Sequence, residues 1–129
     1  MKEPNAIEEF NLIYQEVVRL TNHAYLSQFL TYPPLDQTSW ILLLQLLQQA
    51  ELSREEREEL VLPALLIQMA LDHHEQVSEG EVADARAYRV RQLLVLAGDF
   101  YSARYYQRLA LGARIPLIHR FAQAIAAIN

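Results

Sequence analysis

Two short stretches hold the residues whose types and spacing could do chemistry. In "ALDHHEQV", residues 70–77, Asp72, His73, His74 and Glu75 stand side by side. Carboxylates and imidazoles in such a run could ligate a cation or move a proton. The spacing limits that reading. A helical zinc motif needs two histidines one turn apart, whereas adjacent residues point about 100° apart. Asp72, Glu75 and Gln76 do share a face, at i, i+3 and i+4. Acids here oppose the helix macrodipole while His73 and His74 suit it. Two readings stay open: a metal site, or a polar helix end with Asp72 bonded to a neighbouring helix.

The second stretch is "VLAGDFYSARYY", residues 95–106, where Asp99 follows Gly98 inside a long apolar helix. An unpartnered buried aspartate is costly, and glycine in a helix costs about 1 kcal/mol relative to alanine. At about 100° per residue, Arg86, Arg89, Arg104, Gln107 and Arg108 fall in one sector, which reads as the solvated face. Tyr88, Gln92, Val95, Asp99, Ser102 and Tyr106 fall in the opposite sector. The expectation is that Gln92, Asp99, Ser102 and Tyr106 form a polar stripe facing inward or meeting a partner. Gly98 would let another helix come close. Asp99 would then be satisfied by Tyr or Arg groups on adjacent helices, or touch a functional partner. Tyr101, Tyr105 and Tyr106 read as packing residues with hydroxyls at polar edges. His23 and His119 are isolated.

The elements that must position these residues are helices. Three glycines and five prolines in 129 residues leave too few turns for an all-β fold. Residues 6–30 carry apolar side chains at helical spacing, and Pro33 and Pro34 in "TYPPLD" end that segment. Asp36 caps a helix through "SWILLLQLLQQA". Ser53 and Glu56 form a capping-box pattern, and Pro63 should kink or restart the helix that follows. "ALLIQMAL" is apolar all round and hence buried. A break near Gly80 precedes a long helix over 83–110; "LGARIP" interrupts, and "LIHRFAQAIAAI" supplies a last helix. The sequence predicts a single all-α domain over 1–129, a compact bundle of about six helices.

Composition excludes several function classes. The chain is 52% hydrophobic with 21% charged residues, which fits a globular domain. A net charge of −5 with scattered arginines argues against nucleic acid. No cysteine is present, which removes disulfides and thiolate metal sites and fits a cytoplasmic protein. The first residues, "MKEPNAIEEF", lack the apolar core of a signal peptide. No run of about 18 apolar residues occurs, so no integral membrane segment is expected. No nucleophile elbow, phosphate-binding glycine loop or Ser/His/Asp spacing appears, and no catalytic residue is assigned.

The pattern "LD-H--V", then "RQL-VLAGD-YS--YY", then "I-LI---A-AI--IN" resembles the small subunits of two-component bacterial long-chain prenyl diphosphate synthases, heptaprenyl diphosphate synthase component 1 above all. The resemblance covers the second half of the chain. It implies part of the all-α trans-prenyltransferase fold. Catalytic members of that fold carry a DDxxD helix and a later helix with a Gly-Asp segment. Here Gly98-Asp99 matches the later segment, while the first acidic motif is degenerate: Asp72, His73, His74 and Glu75 keep one aspartate and one glutamate. A second Asp-rich motif is absent from these residues. Members of this type continue for a comparable further length, so the chain reads as a truncated form or a naturally short relative.

The resemblance therefore implies an accessory, non-catalytic subunit of a heterodimer. Its catalytic large subunit would supply Mg²⁺ and elongate an allylic diphosphate with isopentenyl diphosphate, making a menaquinone side chain. No cofactor or metal is assigned to the chain itself. Two alternatives stand beside it. One is a helical interaction module unrelated to prenyl chemistry. The other is a stand-alone enzyme using Asp72, His73, His74, Glu75 and Asp99 as ligands or acid/base groups.

Overall fold

Helix α4, Arg54–Glu75, sits at the centre because its middle has no polar face to turn outward. From 60 to 73 no residue is exposed, and Val61, Leu62, Leu65, Leu66, Met69 and Ala70 are all buried. The computed structural model describes residues 4–31, 35–77, 80–112 and 115–128; among them are six helices and no strand. The other five are α1 (Ala6–Thr21), α2 (Ala24–Ser27), α3 (Gln37–Gln49), α5 (Ala85–Gly112) and α6 (Ile115–Ile128). The all-α bundle expected from the sequence is therefore observed.

Five of the six helices, α1 to α5, start where a side chain takes an orphan backbone N–H. Asn5 accepts from Glu8 N, Asp36 from Ser39 N and Ser53 from Glu56 N. Asp84 Oδ1 accepts from Ala87 N at 2.8 Å, which sets the start of α5. Two expectations are corrected. The first segment is not one helix to residue 30: His23 accepts from Leu26 N and starts the separate turn α2. The polar triplet Thr21-Asn22-His23 offers capping groups that compete with the helix ladder. Nor does the chain restart at Pro63. Helix α4 runs through it, and the packing of its buried neighbours offsets the one missing backbone bond. Residues 32–34, including Pro33 and Pro34, lie outside the described residues, as do residues 113–114 of "LGARIP".

Around α4, helix α1 contributes Phe10, Ile13 and Val17, α3 contributes Leu44, and α5 contributes Leu93, Ala97, Tyr101 and Tyr105. Tyr105 meets Phe121 of α6 edge to face, with ring centroids 5.6 Å apart. Burial pushes its phenol up to about 12, so it stays a neutral hydroxyl at any working pH. One polar network interrupts this apolar centre. Arg57 Nε donates to Glu9 Oε1 and Oε2 at 3.0 and 3.2 Å, and Arg57 Nη1 donates to Leu52 O at 2.8 Å. Gln48 Nε2 adds a bond to Glu9 Oε2 at 3.0 Å. Helices α1, α3 and α4 are thereby fixed in one register.

Candidate functional site

The two polar stretches of the sequence meet. Helices α4 and α5 make the most extensive helix contact of the fold, and His74 of α4 lies on Gly98 of α5. A Cβ built at Gly98 would fall 2.2 Å from His74 Nε2 and 2.3 Å from Cδ2. Only glycine leaves room for that ring. The close approach expected at Gly98 is therefore filled by an imidazole rather than by another backbone. His74 Nε2 then lies 3.5 Å from Asp99 Oδ1. The contact is long for a hydrogen bond and becomes an ion pair when the ring is protonated.

His73, next door, does the opposite. It is fully buried and stands edge-on to Tyr101, with ring centroids 4.8 Å apart. Its Nδ1 lies 2.9 Å from Met69 O. A carbonyl only accepts, so Nδ1 carries the proton and Nε2 is left as a bare acceptor, without a hydrogen-bond partner among the described residues. Desolvation holds this imidazole below the ordinary histidine range. Asp72 accepts from Gln68 Nε2 at 2.8 Å on its own helix, not from a neighbouring helix as expected. Glu75 is exposed. Asp72, His73, His74 and Glu75 thus diverge, and no three His, Asp or Glu side chains among the described residues come together to hold a metal ion. This donor set does not fit a pair of magnesium-bridged diphosphates, which need several converging carboxylates.

The inward half of the stripe expectation is overturned. Gln92, Asp99 and Tyr106 are exposed and Ser102 is half-buried; the Asp99 side chain is 66% accessible. The buried face of α5 is Leu94, Ala97, Tyr101 and Tyr105, which lies beside the arginine sector rather than opposite it. Arg104 explains the difference: its Nε reaches Leu20 O, at the end of α1, at 2.9 Å. Its guanidinium lies over Phe100, 5.2 Å from the ring centroid. Arginine stems skirt the core while their heads find carbonyls, so the arginine sector does not mark the direction farthest from the core. Asp99 stands beside His74 rather than a Tyr or Arg, and its carboxylate is largely open to solvent.

Glu9, Arg57 and Gln48 form the buried polar group that the sequence reading missed. A signal existed. Glu9, Ile13 and Val17 are spaced i, i+4, i+8, as are Arg57, Val61 and Leu65, so each charge continues an apolar stripe.

Gly98 yields a sign-changing prediction. With His74 replaced by alanine, Gly98→Ala should stabilise the chain by about 0.5–1 kcal/mol through helix propensity. With His74 present, the ring must be displaced and that gain should shrink or reverse. Urea denaturation of the four proteins in this double-mutant cycle reads the coupling.

Comparison with known proteins follows this geometry. A family model described as heptaprenyl diphosphate synthase subunit 1 matches residues 23–129. "Heptaprenyl diphosphate synthase component 1" of Geobacillus stearothermophilus is 40% identical over 84 residues, which cover 65% of this chain and 36% of that protein. The chain thus matches about a third of the length of this curated relative. No solved structure matches.

Proposed function

This chain belongs to the heptaprenyl diphosphate synthase subunit 1 family, and on that premise we propose that it is the non-catalytic partner in a two-subunit all-trans polyprenyl diphosphate synthase. The large subunit holds the Mg²⁺ and the diphosphates. It extends an allylic diphosphate with isopentenyl diphosphate into a long chain of the heptaprenyl type, for a menaquinone side chain in the cytoplasm. The family match over residues 23–129 carries this reading. The divergence of Asp72, His73, His74 and Glu75 supports assigning the metal chemistry to the other subunit. On this chain three of them make structural contacts: His73 an aromatic one, Asp72 a same-helix bond and His74 an approach to α5.

The experiment is to place Asp72→Ala and Glu75→Ala in the reconstituted complex and follow isopentenyl diphosphate incorporation. Removing a working acid or base costs about 10²–10⁴ in rate. Turnover within about threefold of the unaltered complex is the expected result. A drop into the catalytic range at either position would return the chemistry to this chain.

A further inference from the structure

The last turn of α4 is anchored in the core by a titratable side chain. Among residues 72–76 only His73 is buried, while His74, Glu75 and Gln76 are exposed. The helix stops here: the Gln76 N–H bonds back to the Asp72, His73 and His74 carbonyls, and Gly80 follows with a φ of 90°. The His73 ring stands edge-on to Tyr101 of α5, and exposed His74 adds its contact on Gly98. Nδ1–H of His73 donates to Met69 O, and the enclosed Nε2 has no partner among the described residues. A leucine would pack at this position without an orphan atom. An imidazole makes the anchor hold in one protonation state only, because a proton on Nε2 creates a buried charge with no acceptor.

We propose that His73 is a pH-sensitive latch: protonation at Nε2 expels the ring and unwinds the last turn of α4 from α5, while the rest of the bundle stays folded. The opening is local because it releases a helix end that carries a single core side chain, and helix ends open at far lower cost than core segments. The surrounding groups set the balance. Desolvation acts most strongly against the proton and His74 adds to it, whereas the Met69 carbonyl and Asp72 favour it. Helix α5 faces the ring with Tyr101 and holds Asp99 3.5 Å from His74. From α2, His23 stands against Phe100, the neighbour of Tyr101. Once released, the imidazolium gains water and keeps Asp72 and Glu75 close by in the chain. The enclosed ring binds its proton more weakly than the released one, so acid favours the open turn and neutral pH the closed one. The latch is a property of the fold and does not depend on the accessory-subunit reading.

Amide hydrogen exchange on the whole chain, corrected for intrinsic exchange rates at each pH, reads the latch. Between pH 6.5 and 5.5 the protection of residues 73–76 should fall about fivefold, within the tenfold per pH unit that one coupled proton allows. Phe10, Ile13 and Val17 of α1 should keep theirs over the same range. His73→Leu should abolish the fall, and His74→Ala should leave it in place. An equal loss on α1 would mean that the bundle unfolds as a whole and that no latch exists. Unchanged protection at residues 73–76, or a fall that persists in His73→Leu, overturns the proposal as well. If His73→Leu does not fold, the unaltered chain decides by NMR titration of the His73 ring. Its protonation should share a midpoint with the loss of protection at residues 73–76, and separate midpoints would overturn the latch.

Discussion

Replacing Arg57 with alanine should cost the fold about 3–5 kcal/mol, because a carboxylate would then stay buried without its counter-charge. The Arg57 and Glu9 side chains are almost wholly inaccessible, and Arg57 Nη2 lies 2.9 Å from Glu9 Oε1. That nitrogen is close enough for strong attraction although poorly aligned for a hydrogen bond. Gln48 supplies one bond to Glu9, which does not replace a guanidinium. Glu9→Ala should be comparably damaging, since it strands the arginine. Replacing both with leucine and methionine should recover most of the loss: an apolar pair avoids the desolvation cost of two ions. Equilibrium urea unfolding decides it. If the single variants lose under about 1 kcal/mol, water must reach the pair and the burial is overstated. If the double variant loses as much as the singles, the network is needed for register.

Acid should weaken the fold through His73, by up to about 1.4 kcal/mol for each pH unit below its unfolded value. Its pKa in the folded chain lies below the ordinary 6.5, mainly through desolvation; the Met69 carbonyl and Asp72 act in the opposite direction and His74 adds to the lowering. Above pH 6.5 both states are neutral and the group contributes no pH dependence. As pH falls below 6.5 the unfolded chain takes up a proton that the folded chain resists, so stability falls until the folded pKa is passed. His73→Leu removes the bare Nε2 and the titration together, and should flatten the stability profile between pH 6.5 and 5. An unchanged slope in that variant would place the acid sensitivity elsewhere, with the carboxylates as the next groups to examine.

The helices were largely legible in the sequence because local signals fix them. Asp36 and Ser53 mark starts by hydrogen bonds that span three residues, and the burial of residues 64–71 follows from their having no polar face. What failed depended on where neighbours sit. The angular reading of α5 separated two sectors correctly and rightly gave the arginines to solvent, yet it turned the other sector inward, where the structure leaves that one largely exposed too. Direction from a helix axis is periodic in sequence, but the identity of the core side comes only from packing. Arg104, with its stem along Phe100 and its head on Leu20 O, misled that assignment. The meeting of His74 with Gly98 and Asp99 joins positions 24 and 25 residues apart, and no local pattern encodes such a contact. Glu9 and Arg57 are farther apart still, and each alone looks like an ordinary surface charge.

The most direct measurement of the central claim is isopentenyl diphosphate incorporation by three samples: this chain alone, the large subunit alone, and the two mixed. The account predicts turnover in the mixture, none from this chain alone, and little from the large subunit alone, with chromatography of the product giving its chain length. Turnover by this chain alone, or a mixture no more active than the large subunit by itself, would contradict it.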